Sequence, residues 1–173
     1  MRRTARDASF VDFVDARRAL LVRTAYLLCG DWHRAEDLVQ HALTKLYVAW
    51  PRVVGRGGED AYARRVLLNV ARDEWRRSSR RPELVTAGQD DLPSRVDESV
   101  EDRDALVRAL GDLSPGQRQV VVLRFWLDLS VDDVARDLGV SAGTVKSQSA
   151  RALGRLRETL GEDFAGARGG RRR

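Results

Sequence analysis

Very little in this 173-residue sequence can form a cross-link or hold a metal. Its single cysteine, Cys29, excludes an internal disulfide, and His33 and His41 are the two histidines. Three scattered ligands without a fourth make a weak zinc set. Cys29 also closes an apolar run, so it reads as a core residue. No metal and no cofactor are expected. No apolar run approaches the length that crosses a bilayer, and the N-terminus, Met1-Arg-Arg-Thr-Ala-Arg-Asp, is charged where a signal peptide would turn apolar. A cytoplasmic location and no membrane insertion are therefore expected. Clustered carboxylates for metal-dependent chemistry are missing as well, because Asp132 and Asp133 are adjacent and face different directions on a helix. An enzyme such as a nuclease or recombinase is a poor fit, and no catalytic residue is expected. Lysine is nearly absent: of 31 basic residues only Lys45 and Lys146 are lysines, and the rest are arginines suited to bidentate phosphate contacts.

What the chain does have is enough apolar content, 43%, for packed cores. It also carries a net charge of +5 that is unevenly spread. Residues 1–85 balance to +6, residues 86–105 to −5 and residues 106–173 to +4. Two basic blocks flanking an acidic bridge suit two nucleic-acid-binding modules on one tether.

Nearly everything outside that bridge has helical periodicity, and no segment alternates convincingly as a strand, so the fold class is all-α: two small helical domains joined by a flexible acidic linker. Phe13, Leu20 and Leu27, with Val14, Leu21 and Leu28 one step on, predict an apolar stripe on a helix from about Ser9 to Cys29, closed by Gly30. Asp31 is placed to cap a second helix that carries Leu38, Val39, Ala42, Leu43, Leu46 and Tyr47 toward Trp50. Pro51 and Gly55-Arg-Gly-Gly58 then force a loop. A third helix spans about Asp60 to Arg77. Pro82, Gly88 and Pro93 among acids mark the linker. Past it, Ala105, Leu106 and Leu110 mark a helix, and Ser114-Pro-Gly-Gln117 is a capping box with proline at the first helical position. The resulting division is an N-terminal tail at 1–8, a first domain at 9–78, a linker at 79–100, a second domain at 101–161 and a basic disordered tail at 162–173.

The most specific segment is Leu129 to Ser149. Ser130 can cap a helix whose Val134 and Leu138 face inward, small Ala135 permits a close crossing, and Gly139 supplies a left-handed turn. Ser141 then caps a helix bearing Thr144, Lys146, Ser147 and Gln148, hydrogen-bonding types suited to base edges in a major groove. This is a helix-turn-helix reading. Helical hairpins with a glycine turn also occur in proteins that bind no DNA.

Two further faces bear on function. Arg65, Asn69, Arg72 and Arg76 recur at i, i+4, i+7 and i+11, so they share one narrow face opposite Ala63, Val66, Leu67 and Val70. Three guanidiniums around one amide suit a strand's phosphates and one read base, and an ordinary solvated face would look the same. Tyr47, Trp50 and Trp75 lie nearby and could stack on unpaired bases. Tyr47 reads as core, and Trp50, beside the Pro-Gly loop, is open to either role. Finally, Glu36, Asp37 and Gln40 form an exposed acidic edge, which suits a protein partner better than DNA.

Taken in order, Ala35-Glu-Asp-Leu-Val-Gln40, Tyr62-Ala-Arg-Arg-Val-Leu-Leu-Asn-Val-Ala-Arg72, Leu113-Ser-Pro-Gly-Gln-Arg-Gln-Val-Val-Val-Leu-Arg124 and Val140-Ser-Ala-Gly-Thr-Val-Lys-Ser147 resemble the small extracytoplasmic-function (ECF) group of bacterial RNA polymerase sigma factors. The likeness covers about residues 9–161 and points to actinobacterial members of the sigma-E type, with which the arginine bias agrees. The resemblance implies that residues 9–78 are region two and residues 101–161 region four. Region two would dock on core RNA polymerase through Glu36, Asp37 and Gln40. It would melt the minus-ten element with Arg65, Asn69, Arg72, Arg76 and Trp50, holding a flipped base between the loop after Trp50 and the helix of Asn69. Region four would read the minus-thirty-five element through Thr144, Lys146, Ser147, Gln148 and Arg151. An anti-sigma partner would have to cover the acidic edge or the recognition helix. Many such factors have arginine at Gln148 and a bulky apolar residue at Ser149; glutamine prefers adenine edges, so their promoter sequence does not transfer. A dimeric helix-turn-helix regulator is the alternative, although it leaves the Arg65–Arg76 face and the acidic linker without a role.

Overall fold

The computed structural model describes residues 3–80 and 100–161, and every element within them is helical. The chain divides into two compact units, one N-terminal and one C-terminal to about residue 90.

The N-terminal unit packs three helices, α1 (Arg3–Cys29), α2 (Trp32–Val53) and α3 (Glu59–Arg80). Asp31 caps α2 by accepting the Arg34 N–H at 2.7 Å, satisfying one of the donors a helix start leaves unpaired. Along α2, Ala35, Leu38, Val39, Ala42, Leu43, Leu46 and Trp50 are buried, one stripe at helical spacing. They meet Val22, Ala25, Tyr26 and Leu28 of α1 and Ala63, Leu67, Leu68, Val70 and Ala71 of α3. The heptad expected on α1 is thus only partly right: Leu20 is 45% exposed. Ion pairs join the helices at Arg17–Asp60 and Arg34–Glu74, each worth about 1 kcal/mol or less where water screens it.

Two boundaries differ from the sequence reading, for one reason. Pro51 does not end α2, which continues to Val53, and α1 begins at Arg3 rather than near Ser9. A proline inside a helix cannot donate to the carbonyl four residues back, here Tyr47. That carbonyl instead accepts from Arg6 Nη2 at 2.9 Å, with the guanidinium 4.3 Å from the Tyr47 ring. The Tyr47 hydroxyl donates to Asp7 at 2.7 Å, and the Trp50 indole N–H donates to Ser9 Oγ at 3.0 Å. The segment expected as a tail therefore completes the end of α2. Tyr47, expected as core, is half-buried within this contact.

The C-terminal unit contains α4 (Val100–Gly111), α5 (Pro115–Val121) running into a π-helical turn (Val122–Trp126), α6 (Val131–Leu138) and α7 (Ala142–Leu160). The Ser114–Gln117 capping box forms as its spacing predicts. Helices α4, α5 and α6 pack around α7, whose Val145, Ala152 and Leu156 are buried with Val120, Leu123, Val134 and Leu138. Arg118 is buried as well and donates to the Gly111 carbonyl at 2.7 Å, closing the end of α4. Most of the acidic linker and the whole C-terminal tail lie outside the described residues; residues 79 and 80 are helical.

Replacing Arg6 with Ala should leave the Tyr47 carbonyl short of a donor and cost about 1–3 kcal/mol of stability, read as a lower denaturation midpoint. An unchanged midpoint would mean that water takes over that carbonyl.

Candidate nucleic-acid interface

The turn between α6 and α7 is built by three residues. Ser130 Oγ accepts the Asp133 N–H at 3.1 Å and starts α6. Gly139 ends it at φ 67°, ψ 38°, a left-handed conformation that side chains with a Cβ resist. Val140 N–H returns to the Ala135 carbonyl at 3.0 Å, and Ser141 Oγ accepts the Thr144 N–H at 3.0 Å to start α7. Two helices so joined, with Val134 and Val145 fully buried between them, make a helix-turn-helix.

On α7 the expected contact residues separate into two groups. Lys146, Ser147 and Arg151 are exposed on one side, together with Gly143 and Ala150, which the sequence reading did not single out. Their small size leaves the outer face open between the cations. Thr144 is half-buried, and its hydroxyl shares a hydrogen bond with Ser141 Oγ at 2.9 Å. Gln148 turns toward α5: a Cβ at Gly116 would lie 3.2 Å from Gln148 Oε1. Ser149, one of the departures from the family pattern, is half-buried. Its Oγ is enclosed with no hydrogen-bond partner among the described residues.

On α3 the four expected residues share a face, but unequally. Asn69 and Arg76 are exposed, whereas Arg65 and Arg72 are half-buried. Arg65 Nε donates to the Ala61 carbonyl at 3.3 Å, and its guanidinium stands 6.0 Å from the Tyr62 ring. Trp50 corrects its expected role at the DNA face. It is 2% exposed, with Phe10 and Phe13 rings 5.3 and 5.0 Å away, and its indole N–H is already engaged. An enclosed ring cannot serve as a stacking platform. Arg77 is exposed on α3 as well, outside the i, i+4, i+7 register of the other four.

The acidic edge is on the surface as expected. Glu36, Asp37 and Gln40 are all exposed, with Glu36 accepting from Arg18 at 3.2 Å. The same side of α2 continues through His41, Thr44 and Val48, the last of them 74% exposed. A lone valine among polar residues gave the sequence reading no signal. Among the described residues no group of three or more His, Cys, Asp or Glu could hold a metal ion, and no helix is long and apolar enough to cross a membrane.

Two family models match the chain: sigma-70 region 2 over residues 13–81 and sigma-70 region 4 over residues 103–156. An RNA polymerase sigma-E factor of Streptomyces avermitilis is 44% identical over 155 residues, covering 87% of this chain and 84% of the relative. The chain belongs to the ECF sigma factors. The ECF RNA polymerase sigma factor SigL of Mycobacterium tuberculosis is 35% identical over 159 residues, 86% of each chain. The sigma factor RpoE of Bartonella quintana, solved in complex with the anti-sigma factor NepR, superposes at a TM-score of 0.77 with 26% identity, covering 90% of this chain and 98% of that one. The function is the family's, promoter recognition in transcription initiation, and the operator-binding dimer no longer competes with it.

Two outcomes test this local chemistry. Ser149→Ala removes the enclosed hydroxyl and should raise stability by about 1 kcal/mol while leaving DNA binding unchanged; a lower midpoint would show that the hydroxyl has a partner. Burial pushes the Cys29 thiol up to about 11. The native sigma factor should therefore alkylate slowly near pH 8, where little thiolate exists, and reach the rate of a free cysteine once unfolded.

Proposed function

We propose that the two units act as separate weak DNA readers whose spacing core RNA polymerase fixes. The observation that carries this reading is that each unit presents an exposed polar and cationic helix face: Asn69 and Arg76 on α3, and Lys146, Ser147 and Arg151 on α7. In this reading residues 101–161 read the minus-thirty-five element in the major groove. Lys146 and Arg151 supply charge, and Ser147 reaches a base edge. Thr144 braces the start of the helix, and Gln148 contributes once it leaves Gly116. Residues 9–78 melt the minus-ten element on α3. Asn69 reads a base, while Arg65, Arg72 and Arg76 hold the strand's phosphates.

Flipping one base out of the stack costs a few kcal/mol, which a fitted site between α3 and the preceding loop must offset. Glu36, Asp37 and Gln40 are the polymerase contact, where acids repel DNA and accept basic side chains. An anti-sigma factor would compete at that edge or at α7; that the Bartonella relative was solved with an anti-sigma factor supports a partner of this kind. The sigma factor acts in the cytoplasm with no catalytic role of its own.

Each module neutralises few phosphates, so binding by either alone falls steeply with salt. Tethering both to one rigid body replaces intrinsic affinity with effective concentration. The free protein should therefore bind promoter DNA weakly at physiological salt, and a nanomolar complex without polymerase would overturn the scheme. Run-off transcription with an actinobacterial core polymerase on genomic fragments should give a discrete transcript only when this protein is added. Asn69→Ala and Lys146→Ala should each abolish it.

A further inference from the structure

Five residues, 54–58, connect α2 to α3, and an acid in the first turn of α3 ties them down. Gly55 sits at φ 76°, and a Cβ there would meet nothing within 4 Å, so backbone shape and not crowding favours glycine. Glu59 reaches back into this loop, and its Oε1 accepts the Gly55 N–H at 2.6 Å. Its own backbone N–H and those of Gly55, Arg56 and Gly57 hold its carboxyl below the usual range. The next residue, Asp60, turns the other way. It grips Arg17 of α1 through two hydrogen bonds, of 2.7 and 2.9 Å. Gly57, Glu59, Asp60 and Arg17 thereby line a cleft of about 290 Å³ above Phe13 and Trp50.

We infer that Glu59 is a positioning residue for promoter melting: it holds loop 54–58 in one shape, so that the loop meets an unpaired base already ordered. The inference rests on the reading of α3 as the minus-ten face. A glycine-rich loop left untethered loses conformational freedom when a base arrives, and that loss is taken out of the binding energy needed to keep the base unstacked. A loop tied by a charge-assisted hydrogen bond has lost that freedom on folding. The Glu59 side-chain hydrogen bond goes to loop backbone, so it acts through the loop and not on DNA. The Arg17–Asp60 pair is exposed and adds little stability, but it fixes where α3 begins relative to α1 and hence where Glu59 stands.

The test uses holoenzyme on two templates of one promoter recovered by run-off: an ordinary duplex, and the same duplex with mismatches that premelt the minus-ten segment. Glu59→Ala should lower transcription from the duplex about tenfold and leave the premelted template little changed. Glu59→Gln, whose amide oxygen still accepts from Gly55, should restore most of the duplex activity. Gly55→Ala strains the left-handed turn with Glu59 intact. It should reproduce the template-dependent loss, which keeps the inference testable if Glu59→Ala does not fold. Equal loss on both templates, or no loss on the duplex, overturns it. Asn69→Ala separates the two levels. If it too is silent on the duplex, the minus-ten reading of α3 falls; if it alone is impaired, only the role of Glu59 falls.

Discussion

The N-terminal unit is organised by the burial of one indole. Trp50 lies where the end of α2, the start of α1 and the cleft beside α3 converge. Its N–H would be costly to bury without a partner, and Ser9 supplies one, so the ring can be almost wholly buried. Because α2 is anchored there, the loop that follows leaves from a fixed point. The first turn of α3 is then placed by Arg17 and Asp60, and α3 carries Asn69 and Arg76 outward from a frame set by apolar contacts on its other side. The exposed face of α3 is a consequence of packing, with its own residues adding little to stability.

The C-terminal unit reaches the same end by other means. Two of its helices are short: α5 has seven residues and α6 eight, too few to hold a helix in isolation. Side-chain oxygens of Ser114, Ser130 and Ser141 each take one unpaired N–H at a helix start, and a left-handed glycine closes α6. Such caps are worth about 1 kcal/mol apiece, comparable to the contribution of a small buried side chain. Precision in the turn fixes where α7 begins, and with it the direction in which Lys146, Ser147 and Arg151 are exposed.

Signals that depend on local chemistry were readable from the chain. Caps at Asp31, Ser114, Ser130 and Ser141 and the turn at Gly139 all stand where their residue types put them, because each involves only a few consecutive residues. Contacts between distant segments were not. Trp50 looked available because its partners, Ser9, Phe10 and Phe13, lie about forty positions earlier. Pro51 looked like a helix end because nothing nearby hints that Arg6 replaces its missing donor. Arg118 is a cation that periodicity assigns to the surface, yet it is buried against the last turn of α4. For the candidate contact residues, spacing identified members that share a helix face. It could not grade the members of each face: Arg65 lies back along its own helix against Ala61 and Tyr62, and Gln148 is half-buried beside Gly116 of α5.

The replacement of a backbone donor by Arg6 has a practical side. A helix end that needs a guanidinium from a segment forty residues away is no longer a local structure; the two ends open and close as one cooperative piece. Trimming the first nine residues, whether by a protease or in cloning, would therefore remove more than a loose end. It would fray the last turn of α2 and loosen the loop that follows, so damage at the start of α1 would be felt at the entry to α3.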